Sequence, residues 1–163
     1  MPATYEPIAT NSLTGTTASV TFSSIPSTYT DLVLIFNGSI DTNSRQLVLQ
    51  FNSDTGTNYS NTRLVGDGTS AASYRATSQT YARCITSTTN NVVSTIIVNI
   101  QNYSNTTTNK TILSRGSATS DQADAIVNLW RSTSVINSIT CLLSGTGNFN
   151  SGSTFTLYGI KAA

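Results

Sequence analysis

The sequence predicts an all-β sandwich or barrel of about eight to ten strands, and three observations carry that prediction. Apolar residues recur with a period of two along much of the chain, the mark of half-buried strands. Turn signals fall between these runs at regular spacing: Asn37-Gly38, Asn52-Ser-Asp-Thr-Gly56, Gly66-Asp-Gly68, Asn90-Asn91, Gly145-Thr-Gly147 and Ser151-Gly152. The composition suits strands, because Thr, Ser and Asn make up about two-fifths of the residues while Glu occurs once, at Glu6, and Lys twice, at Lys110 and Lys161. The usual builders of helical surfaces are therefore scarce. A chain of 163 residues is the size of one ordinary domain, so residues 1–163 are read as a single β-sandwich domain.

Taken in order, Ala18, Val20 and Phe22 share one face of a first strand. Pro26 fixes its own φ and disfavours helix at Ile25, so the stretch TFSSIPSTYTDLVLIFNGS reads as strand, bend, buried strand. Its run Leu32 to Phe36 is too short to span a bilayer or to make a buried helix. It needs cover on both faces: the facing sheet on one, a neighbouring subunit or loop on the other. Leu47, Leu49 and Phe51 alternate with Gln46, Val48 and Gln50. The turn after them puts Gly56 at the position expected to need positive φ. Val92 to Ile100 carries Ile96, Val98 and Ile100 on one side and Val93 and Ile97 on the other, which predicts a strand that is central or covered by another subunit. Residues 105–109 are a Thr-rich loop.

Residues 123–130 fit two periods. Ala123, Ile126, Val127 and Trp130 match a helical stripe with Ser120 or Asp121 as N-cap, while Ala125, Val127 and Leu129 against Ile126 and Trp130 match a strand. Both readings stand at this level. Val135, Ile139, Cys141 and Leu143 then oppose Ser138, Thr140 and Leu142. The last strand holds Gly159 in its interior, a sign of a bulge or a close backbone approach.

Charge and chemistry narrow the function classes. Only 9% of residues are charged and the formal net charge is +1, so neither nucleic acid nor a membrane surface is an expected partner. The start, MPATYEPIAT, shows no secretory signal, and no segment is a transmembrane candidate. Cys84 and Cys141 sit in strand-like runs without a CxxC partner and are read as reduced, core-facing thiols. There is no histidine, which excludes Ser-His-Asp and Cys-His catalysis and His-ligated metal sites. A polysaccharide-degrading enzyme needs only two facing carboxylates, drawn from Glu6, Asp31, Asp41, Asp54, Asp67, Asp121 and Asp124. Most of these fall in turn signals, where Asp is ordinary turn chemistry. Asp54-Thr-Gly56 and Gly66-Asp67-Gly68 lack the alternating acidic spacing of a calcium loop. No catalytic residue, metal ligand or cofactor is assigned. Tyr59, Tyr74, Tyr81, Tyr103 and Trp130 form a candidate aromatic platform for carbohydrate or partner contact, the competing reading being core or interface.

Six stretches together carry a resemblance: SSIPSTYTDLVLIFN at 23–37, FNSDTGTNYS at 51–60, LVGDGTSA at 64–71, NYSNTTTNKT at 102–111, LWRSTSVINSIT at 129–140 and NFNSGSTFTLYGIK at 148–161. In this order they resemble a group of tailed-bacteriophage virion proteins, over nearly the whole chain. The resemblance implies a jelly-roll-like sandwich on the outside of a phage particle, a homotrimer, with no catalytic residues. The expected partners are itself and the major capsid or tail proteins of the same particle; its expected place is the virion surface, after synthesis and assembly in the host cytoplasm. Strand-like sequence is under way by Val20 and ends at Ile160, so a capsid decoration (cement) protein is expected ahead of a tail fibre or tail tip that recognises host glycans.

Overall fold

The computed structural model describes residues 4–119 and 122–161. Among these residues the strands are β1 (Tyr5–Ser12), β2 (Ser19–Phe22), β3 (Asp31–Gly38), β4 (Leu47–Phe51), β5 (Tyr59–Gly66), β6 (Ala71–Gln79), β7 (Ala82–Arg83), β8 (Ser94–Gln101), β9 (Lys110–Thr119), β10 (Gln122–Trp130), β11 (Ile139–Leu143) and β12 (Thr154–Ile160). They build an eight-stranded sheet in the order β1-β12-β3-β8-β9-β10-β5-β6 and a four-stranded sheet in the order β2-β11-β4-β7. Every strand pairing is antiparallel. The fold is the all-β sandwich that the alternation predicted.

The order is that of a jelly roll with two additions. Set aside the neighbouring pairs β5–β6 and β9–β10, and each successive strand of the remaining eight lies in the other sheet, except that β4 and β7 follow one another within the smaller one. The eight leave β1-β12-β3-β8 facing β2-β11-β4-β7, two four-stranded sheets wound as in a double Greek key. The additions account for the strands beyond the eight to ten expected. Each extends the longer sheet: β9 pairs β8, β10 pairs β9 and β5, and β6 forms the edge.

Residues 123–130, open to a helical reading, lie in strand β10. Its burial alternates residue by residue, with Ile126 1% exposed beside Val127 at 48%. Helical propensity there is weak, and pairing on both sides by β5 and β9 supplies backbone bonds that a lone surface helix lacks. The proposed caps Ser120 and Asp121 lie outside the described residues.

The core lies between the sheets. Leu32, Leu34 and Phe36 of β3 and Ile96, Val98 and Ile100 of β8 face it and are buried, so β8 is central, between β3 and β9. On the opposite face Val33 is buried as well, between in-register Tyr158 and Asn99. The cover expected from a subunit or loop comes at that position from the strand's own neighbours. Cys84 and Cys141 are free and buried. Burial raises both thiol pKa values; at Cys84 the neighbouring Cys141 adds to the rise.

Two turn expectations and one strand-face expectation change. Asn37-Gly38 is the end of β3, paired with Thr95 and Ser94, and not a turn; a side chain at Gly38 would run into Ser153. In the turn after β4 the left-handed residues are Asn52 and Ser53, with φ of 52° and 58°, closed by Asp54 N donating to Phe51 O at 2.9 Å. Gly56 is not left-handed; its value is room, because a Cβ there would lie 2.9 Å from Asn58 Nδ2 and 3.0 Å from Asp54 Oδ1. Val135 is only half-buried, and Ile136 fills the core in its place.

Candidate functional site

The five candidate aromatic residues do not share a surface. Tyr59, Tyr103 and Trp130 are buried in the core. The Tyr59 and Trp130 rings stack with centroids 6.1 Å apart, and Phe51 lies 5.4 Å from Trp130. Tyr103 donates its hydroxyl to Pro26 O and accepts from Tyr29 N at 3.3 Å. These three rings present no face to a sugar, and the core reading holds for them. Tyr74 is 48% exposed under the Arg63 guanidinium, 4.7 Å from the ring centroid. Tyr81 is half-buried beside Arg83.

The described carboxylates hold the fold's own joints. Asp54 accepts from Trp130 Nε1 at 2.7 Å, Gly56 N at 2.8 Å and Asn58 Nδ2 at 3.0 Å. Burial pushes its pKa up, and these hydrogen bonds outweigh it, so the net shift is downward. Asp67 accepts from Ser70 N at 2.6 Å and Thr69 N at 2.9 Å within its own turn, and those bonds depress its pKa. Asp41 is held down by Asn148, whose backbone N and side-chain amide both donate at 2.7 Å. Glu6 pairs with Lys161 at 2.9 Å and is lowered by that contact. Asp31 accepts from Asn102 N at 2.7 Å, and Asp124 accepts from Thr86 N.

Several of the six stretches interlock. Tyr29, in the bend after Pro26, lies against Gly159 so closely that a side chain there would overlap its ring; this is the close approach that the strand glycine signalled. The same Tyr29 hydroxyl donates to Glu6 at 3.2 Å, and Tyr103 clasps the bend from the other side. Asn52–Tyr59 is likewise locked to 129–140: Arg131 Nη2 donates to Thr57 O at 2.9 Å, and Asn52 Nδ2 donates to Val135 O at 2.7 Å. In 102–111 the buried Lys110 ammonium donates to Asn105 O at 2.6 Å and Thr108 O at 3.0 Å.

What remains unused inside the fold is the open face of the long sheet. Register places Ala125 beside Arg115 and Leu64, and Val127 beside Leu113 and Thr62. Because side chains alternate across a strand, all six face away from the core. Leu64 is 62% exposed. One groove of about 380 Å³ has a floor of Leu64, Leu113, Ala125 and Val127 with Asn99 and Arg115 on its wall. A second, of about 470 Å³, shares Leu64 and Ala125 and runs over Gly66, Ala71 and Ser73 towards the β6 edge. Both are built from the two added strand pairs and the adjoining β8. The sequence signal was the second apolar set on β10, Ala125, Val127 and Leu129; its partners on β5 and β9 come into register only in the folded sheet.

No family model and no curated protein matches the chain. Among solved structures, a protein of unknown function from Shewanella oneidensis MR-1 matches at 10% identity, over 98% of this chain and 77% of that one. Its TM-score is 0.21, at which the likeness carries no argument about fold or function.

Proposed function

We propose that this chain is a structural protein of a phage particle, a decoration protein that binds the outer capsid surface as an oligomer. Its partners are other copies of itself and the major capsid protein. The observation that carries the reading is the exposed aliphatic face on the strand pairs added to the jelly roll, since a contiguous apolar patch rimmed by polar residues marks a protein interface. The carboxylates committed to turns and strand joints support a binding role over a catalytic one. The six stretches that resemble tailed-phage virion proteins supply the particle, and the trimer comes from that resemblance as well.

Electron microscopy of intact particles tests the proposal. Density for the chain at many symmetric capsid positions is the expected result. Density confined to the tail at a few copies would replace it with a tail-tip role. Light scattering of the purified chain should report an oligomer; a monomer at micromolar concentration counts against the multivalent arrangement, in which linked copies raise one another's effective concentration.

A further inference from the structure

We infer that the paired grooves on the open sheet face dock a protein segment that brings aliphatic side chains onto Leu64, Leu113 and Val127 and a carboxylate to Arg115. This rests on the reading of the chain as a particle protein and specifies the chemistry of the surface it meets. The floor is aliphatic and holds no aromatic ring, so it offers apolar area but no stacking plane for a sugar.

The charge on this face is of one sign. Arg115 and Arg75 project from β9 and β6 and are exposed. Strands β5, β6, β8, β9 and β10 contain one acidic residue among them, Asp124. It borders the second groove, but its carboxylate is buried on the opposite face, accepting from Thr86 N. The exposed Asp67 lies outside the strands, in the turn between β5 and β6. Among the described residues the ion pair is Lys161 with Glu6, at the β1 end of the sheet. A two-fold contact with the same face of a second copy would set guanidinium groups together with no carboxylate between them, which is destabilising. The complementary occupant is therefore a different protein surface, apolar with an acidic flank. Its route in is open, because both grooves lie on the sheet's uncovered face and the second reaches β6, the edge strand.

Methyl NMR of the full chain tests this with two blocked peptides, one carrying two leucines flanked by aspartates and its twin with lysines instead. The aspartate peptide should shift the Leu64, Leu113 and Val127 methyl signals saturably, and the lysine twin should bind about fivefold more weakly, the scale of a single partly exposed charge pair. Arg115→Glu should reverse that preference, and Leu64→Asp should abolish both interactions; both positions are exposed, and circular dichroism checks that the fold is kept. Equal affinity for the two peptides, shifts confined to other residues, or no shifts would overturn the proposal. On particles stripped of the chain, wild type should rebind and Arg115→Glu should not; equal rebinding also overturns it. Failure of wild type to rebind, with the peptide preference intact, would remove the particle reading and leave the groove's chemistry standing.

Discussion

Asp54 connects a surface turn to the aromatic core, because one carboxylate takes the Trp130 indole hydrogen together with two donors from its own turn. Asp54→Ala should therefore cost about 2 kcal/mol, the range for hydrogen bonds to a charged group, read as a shift of the urea midpoint. Its folded pKa lies below the unfolded value, as do those of Asp41, Asp67 and Glu6. Such groups contribute fully above the unfolded carboxylate range, about pH 4, and lose that contribution as pH falls through the folded values. Melting temperature should hold steady from neutral pH down to about pH 5 and then drop, with a shallower drop in Asp54→Asn. At Cys84 and Cys141 burial disfavours the thiolate, and the thiolate is the reactive form. A thiol reagent should leave the native chain untouched and label both residues once it is unfolded without reductant; labelling of neither would mean a disulfide.

The element most open to misreading is β10. In a helix Ile126 and Val127 would lie on one stripe and matter alike, whereas in the strand they point to opposite faces. Ile126→Ala should cost about 2–4 kcal/mol, as deletion in a packed core does, and Val127→Ala under about 0.5 kcal/mol, as a surface change does. Similar costs for the two would mean that the register is wrong. The same logic distinguishes the groove from the core, since substitutions at Leu64 and Val127 should impair docking and leave stability nearly unchanged.

At the scale of the whole molecule the chain's two ends pair with each other. β1 pairs β12 from Tyr5 with Ile160 to Ser12 with Thr154, and β2 pairs β11 from Phe22 with Ile139. These contacts close most of the chain before they stabilise anything, so refolding from urea should take milliseconds to seconds or longer. A stopped-flow trace complete within microseconds would contradict the topology.

The residues themselves determined the class of fold. Alternation at Leu47, Leu49 and Phe51 and at Ile96, Val98 and Ile100 is a local property of the strand, and so are the apolar thiols and the tight packing implied by Gly159. Which strands would neighbour one another was not local. The positive φ fell on Asn52 and Ser53, which reverse the chain after β4, while Gly56 serves for the space that Asp54 and Asn58 take beside it. Tyr59 and Trp130 went inside because β5 and β10 lie side by side and bring both rings under Phe51, a pairing between stretches some seventy residues apart. The groove arose in the same way: Leu64, Leu113 and Val127 are unremarkable single residues on three strands. Only the insertion of two strand pairs into the jelly-roll order sets them in adjacent register on a face that the smaller sheet does not cover.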